Sequence, residues 1–126
     1  MAYGIPVLDI SLTAADDYSA NQYHFVIVNG NGEAEIAGAG AGAIGVLQNK
    51  PGEVTGEAGE VASVRVLGIS KVVCGATIAA GTEVTPDADG KAVAGGPGDR
   101  VCGVALMDGD EDEVISILVY QGPVLS

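Results

Sequence analysis

A chain of 126 residues with an apolar fraction of 48% has room for one domain, which buries roughly two-thirds of its unfolded surface around a single core. Its 17 acidic residues against 5 basic ones leave a net charge of −12, which repels phosphate backbones and anionic lipid surfaces and so excludes nucleic acid and a membrane as partners. Aromatic residues make up only 4% and Trp is absent, so the core must be built from Val, Ile, Leu and Ala, a set that suits packed sheets.

The segment Ile5-Pro6-Val7-Leu8-Asp9-Ile10-Ser11-Leu12 alternates so that Leu8, Ile10 and Leu12 can point one way. Pro6 denies it a backbone donor, which suits an edge strand or an extended arm better than a central strand. Residues 1–20 are therefore set apart as an N-terminal arm or edge strand, and 21–126 as a single β domain. The first residues hold no basic stretch leading into a sustained apolar run, so no secretory signal is visible and cytoplasmic synthesis is the expectation.

Tyr23-His24-Phe25-Val26-Ile27-Val28 is the most β-prone run, and Asn29-Gly30-Asn31-Gly32 ends it with a hairpin-type turn from which Glu33-Ala34-Glu35-Ile36 returns. His24 is the only histidine and has no cysteine close in sequence, so a structural role is expected. The Gly-Ala repeat from Gly38 to Ala43 superficially resembles a phosphate-binding loop. The next residues, Ile44-Gly45-Val46-Leu47, are β-like and soon meet a proline instead of opening an amphipathic helix, so a connector or close-packed bend is expected.

Val61 to Leu67 alternates as a half-buried strand; Gly68 is expected to break it, Ser70 to Cys74 to resume it and Gly75 to stop it, giving a meander of short strands. Ala79 to Val93 reads as two short strands around a turn entered at Pro86 and left at Gly90. Asp87 and Asp89 have the spacing of alternate calcium ligands, without the later bidentate Glu or the flanking helices of an EF-hand. Val101 to Met107 is expected to be a buried strand and Val114 to Tyr120 another, apolar on both faces. Between them, Asp108-Gly109-Asp110-Glu111-Asp112-Glu113 places five carboxylates in six residues, a crowding that solvent, a cation or a basic partner must relieve.

Cys74 and Cys102 each sit in an apolar run and are expected to be buried free thiols, too few for a disulfide framework and without metal-ligand spacing. With one histidine, two such cysteines, no metal-ligand cluster and no Gly-x-Ser-x-Gly elbow, an enzyme lacks parts; no catalytic residue, cofactor or metal ligand is expected. The fold class is all-β, a small domain of short strands with an extended N-terminal arm.

The succession Gly45-Val46-Leu47-Gln48-Asn49-Lys50-Pro51, Val64-Arg65-Val66-Leu67-Gly68-Ile69-Ser70-Lys71-Val72, Ala79-Ala80-Gly81-Thr82-Glu83-Val84 with Gly90-Lys91-Ala92-Val93, Val101 to Leu106 and Val114 to Val119 resembles the capsid cement, or head decoration, proteins of tailed bacteriophages. The likeness runs over about three-fifths of the chain. It implies a β-barrel or β-sandwich-like domain on the outer surface of an icosahedral virion. There it would act usually as a homotrimer, holding neighbouring major capsid proteins together without catalysis. On that reading the alternating Tyr3, Ile5, Val7, Leu8, Ile10 and Leu12 are the side chains expected to dock on the capsid. The alternative from composition alone is an acidic calcium- or protein-binding β module without catalytic activity, such as a host-derived adhesion or carrier module.

Overall fold

The alternating stretch around Arg65 becomes the longest strand of the molecule, and the rest of the sheet is built outward from it. The computed structural model describes residues 2–126; of the arm segment, Met1 lies outside them. The strands are β1 (Ile5–Thr13), β2 (Phe25–Val28), β3 (Ala34–Ile36), β4 (Gly45–Leu47), β5 (Val61–Val73), β6 (Glu83–Pro86), β7 (Ala92–Ala94), β8 (Gly103–Ala105) and β9 (Val114–Val119). Among the described residues no helix is long and apolar enough to cross a membrane.

All nine strands belong to one sheet of order β3-β2-β4-β5-β9-β8-β6-β7, with β1 paired to β5 in addition. Arg65 pairs with both Asp9 of β1 and Val46 of β4, and Gly68 with both Pro6 of β1 and Val119 of β9. β1 therefore runs along one edge of β5 while β4 and β9 share the other, and every pairing is antiparallel. The sheet is open and curled into a half-barrel, and an isolated bridge between Ala14 and Ala34 brings the end of β1 against the start of β3.

Two cores result. The first gathers Val26, Leu47, Ala62 and Val64 inside the curl, with Ile10 and Leu12 packed against them. The second lies between the back of β2 and β4 and the inner face of β9, and holds Phe25, Val46, Val72, Val84, Ile115 and Ile117. Phe25 and Val26, like Val46 and Leu47, are neighbours that point to opposite cores, and all four are fully buried. The β2–β4 wall is thus apolar on both faces, which is why its sequence reads as a continuous apolar run. Burying each such side chain contributes about 1.5–3 kcal/mol.

β5 and the residue just past its end feed both cores with residues of the same parity: Ala62 and Val64 enter the first, Val72 and then Cys74 the second. In a regular strand these would all point one way. Register shows how they do not. Pro6 faces Gly68, Leu8 faces Leu67 and Asp9 faces Arg65, which leaves Val7 unpaired on β1 and Val66 unpaired on β5. An extra residue in a ladder redirects the side chains beyond it to the other face. Gly68, expected to end the run, instead carries the strand through the irregularity. Its φ is +114°, and a Cβ there would collide with the Ile5 carbonyl oxygen and lie 2.8 Å from the Val7 nitrogen.

Two other expectations are corrected. The strand expected from Val101 to Met107 shortens to Gly103–Ala105. β9 is not buried on both faces: Ile115 and Ile117 point inward, while on the other side Val114 and Leu118 remain 39% and 41% exposed and only Ser116 between them, bonded to the Tyr3 backbone, is buried. The Gly-Ala connector is a close-packed bend, with Ala41 and Ala43 against the second core and the Gly40 amide donating to the Pro86 carbonyl at 2.9 Å.

Gly68→Ala should lower the unfolding free energy by more than ~2 kcal/mol, since it adds left-handed strain to a displaced β1 backbone; urea titration checks this. Thr85 Oγ1 is buried with no hydrogen-bond partner. Thr85→Val, which keeps the shape and removes the stranded hydroxyl, should raise stability by about 1 kcal/mol in the same assay.

Candidate docking surface

The N-terminal segment is a strand of its own molecule's sheet, held at three places. The Asp9 carboxylate accepts from Arg65 Nε at 2.8 Å and from Nη2 at 3.0 Å, a bidentate pair, while Arg65 Nη1 donates to the Ile69 carbonyl at 3.0 Å. Further back, Ser116 Oγ accepts from the Tyr3 amide at 2.7 Å and donates to the Tyr3 carbonyl at 3.0 Å. The β1–β5 ladder supplies the rest.

The six side chains expected to dock on a capsid separate accordingly. Ile10 and Leu12 are half-buried against the first core, whereas Tyr3, Ile5, Val7 and Leu8 are 47%, 53%, 72% and 47% exposed. The division falls where the curl of the sheet ends and nothing lies above the strand.

Cross-strand register then assembles a surface that crosses four strands. Ile5 faces Ile69, Ile69 faces Leu118 and Leu118 faces Val104. Directly paired residues share a face and lie side by side, so these form one row, with the pair Leu8 and Leu67 beside it. Leu67 and Leu118 are 44% and 41% exposed, more than a core position allows. The outer edge of β1 carries Pro6 and the bulged Val7, both of which obstruct addition of another strand. The surface is suited to packing by its face.

The acidic loop is used differently. Asp108 Oδ1 accepts from the Ala80 amide at 2.8 Å, Asp110 Oδ1 from Thr77 Oγ1 at 3.3 Å and Glu113 Oε1 from the Asp110 amide at 2.7 Å. Asp112 pairs with Lys91 at 2.8 Å, and this bond and its charge hold the ammonium above its usual range. Among the described residues no three His, Cys, Asp or Glu side chains converge to hold a metal ion. Asp87 and Asp89 form a turn, in which Asp87 Oδ1 accepts from the Asp89 and Lys91 amides at 2.8 and 2.9 Å. His24 is buried with Nδ1 3.0 Å from the Gln22 carbonyl oxygen, as a structural residue would be.

Both cysteines are free and buried. Burial pushes each thiol above its ordinary range, and Glu113 and Asp110 push Cys74 further in the same direction. Sequence reasoning missed Leu67 and Leu118 as exposed residues, the half-buried Ile69 and Val104 beside them, and Ser116 as the clamp on Tyr3. Register alone identifies them, and no local signal in the chain announces it.

No known family profile matches the chain, and no curated protein does. Among solved structures it is similar to the head fiber gp8.5 N base of bacteriophage phi29. The TM-score is 0.68 at 18% sequence identity, over 94% of this chain and 100% of that one. At that identity the likeness establishes a shared all-β fold.

Neither Cys74 nor Cys102 should react with a thiol reagent at pH 8 while the protein is folded, and both should react once it is unfolded in urea; a colorimetric thiol titration distinguishes the states.

Proposed function

We propose that this chain is a structural protein of a bacteriophage head, a decoration or cement protein on the outer surface of the capsid, without catalytic activity. The observation that carries this reading is the fold likeness to a phage head fiber base over nearly the whole of both chains. It is supported independently by the resemblance of Gly45 to Val119 to head decoration proteins. The side chains fit the role: many of the carboxylates are engaged in turns and ion pairs, and four of the exposed apolar side chains, Ile5, Leu8, Leu67 and Leu118, lie together on one sheet face.

Such a role needs two contacts, one between copies of the chain and one with the major capsid protein. With a net charge of −12, the capsid contact is favoured on a basic surface. A homotrimer engaging several capsid subunits gains avidity of about 10²-fold over a single contact and ties neighbouring subunits together.

Heads stripped of the protein should release DNA at a lower temperature than decorated heads, and adding the purified protein back should restore the difference. Salt should slow rebinding without abolishing it, because only the charged part of the contact is screened within ~8 Å. Identical melting of stripped and decorated heads would sink this reading.

A further inference from the structure

We infer that Asn31 is a modification site, at which the folded protein deamidates by attack of the Gly32 main-chain nitrogen on the Asn31 carboxamide. The inference is independent of the proposed function and rests on the tip of the β2–β3 hairpin.

Ring closure between an asparagine and the next residue needs a nitrogen that no neighbouring side chain crowds, a carboxamide free to turn onto it, and water to complete the reaction. Asn29-Gly30-Asn31-Gly32 offers two asparagines followed by glycine, so residue type does not choose between them. The hydrogen bonds do. Asn29 Oδ1 accepts from the Asn31 amide at 2.9 Å and the Glu33 amide at 3.0 Å, and Asn29 Nδ2 donates to Glu33 Oε1 at 3.2 Å. Both polar atoms of that carboxamide are tethered, and it must give up these bonds to turn onto the Gly30 nitrogen.

Asn31 carries no such tether. The residue is exposed, and no hydrogen bond within the described residues engages its side chain. A Cβ on Gly32 would have nothing within 4 Å, so the space beside the attacking residue is open. The bond to be broken is that from the Gly32 amide to the Asn29 carbonyl, 3.0 Å long in an exposed turn that opens readily. Of the other two asparagines, Asn21 precedes Gln22 and Asn49 precedes Lys50, whose side chains crowd the nitrogen. Asn49 is also held by Nδ2 on the Val61 carbonyl at 2.8 Å and by the Ser63 amide on Oδ1 at 3.0 Å.

In the reaction the Gly32 nitrogen bonds to Asn31 Cγ, the Cγ–Nδ2 bond breaks, and ammonia leaves with the proton given up by the nitrogen. One water then opens the cyclic imide. Breaking the bond from nitrogen to Cγ leaves aspartate, and breaking the bond from nitrogen to the Asn31 main-chain carbonyl carbon leaves isoaspartate. Either product adds one carboxylate to a chain already at −12.

The test ages the purified full chain at neutral pH, folded in buffer and unfolded in guanidinium, and follows each asparagine by digestion and mass spectrometry as a gain of about one mass unit. In the folded chain Asn31 should convert at least ~10-fold faster than Asn29, because more hydrogen bonds must break at Asn29. In guanidinium the two rates should converge. Both aspartate and isoaspartate should form at Asn31, and Asn31→Ser should remove the acidic species that anion exchange resolves from the aged wild type. Should Asn31→Ser disturb the hairpin, the wild-type map alone decides. Asn29 converting as fast as Asn31 in the folded chain, Asn31 staying intact while the unfolded chain converts, or a preference that persists unchanged in guanidinium would overturn the inference. Aspartate without isoaspartate, or the same acidic species accumulating in Asn31→Ser at the wild-type rate, would overturn it as well.

Discussion

β5 must serve two cores with one set of alternate side chains, and a regular strand offers each set only one face. The unpaired Val66 and Val7 resolve the conflict by shifting the ladder where the strand leaves the first core and enters the second. Because β4 and β9 share the opposite edge of the same strand, this offset also sets how the two parts of the sheet face each other. The buried β2–β4 wall is a consequence, since Phe25 and Val46 need the second core behind them as much as Val26 and Leu47 need the first. Gly68 is bound to this geometry by the β1 backbone passing over it.

The same offset produces the exposed face. Leu8 continues the alternation of Ile10 and Leu12, and Leu67 lies opposite it, but both stand beyond the end of the curl and remain in solvent. Apolar side chains that would be core a few residues earlier become surface because the sheet stops covering them. In a chain with so much negative charge, an exposed apolar patch on one sheet face is physically distinct from the acidic loops around it.

Much of the acidity has a local structural use. Glu60 accepts from the Thr55 amide and hydroxyl at 2.7 and 2.8 Å, and Asp17 accepts from the Ser19 amide at 3.0 Å. Backbone and side-chain hydrogen bonds to Gly52 and Thr55 lower the Glu60 pKa, and those to Ser19 lower that of Asp17. A lowered carboxylate pKa adds stability that is present above its unfolded value and lost as pH falls through the folded one. The turns held this way loosen in acid, and solvent exposure keeps each contribution small. Asn29, Asp87 and Asp108 order their loops by the same use of side-chain oxygens on backbone amides.

The amino-acid sequence by itself determined the all-β class, the turns at Asn29 and Asp87, the burial of Cys74 and Cys102, a structural His24, and an N-terminal segment suited to an edge. Each of these is set by residue type within a few positions: β-branched runs, residues tolerant of positive φ, and a proline that cannot donate. Only the tertiary structure decided that Gly68 continues a strand, that Ile10 and Leu12 turn inward while Ile5 and Leu8 do not, and that Leu118 stands beside Ile69. Those outcomes depend on which strand lies opposite which, and on one unpaired residue in each of two strands far apart in the chain. Alternation within a strand carries no record of a slip made against a distant partner, because the slip exists only once the two are paired.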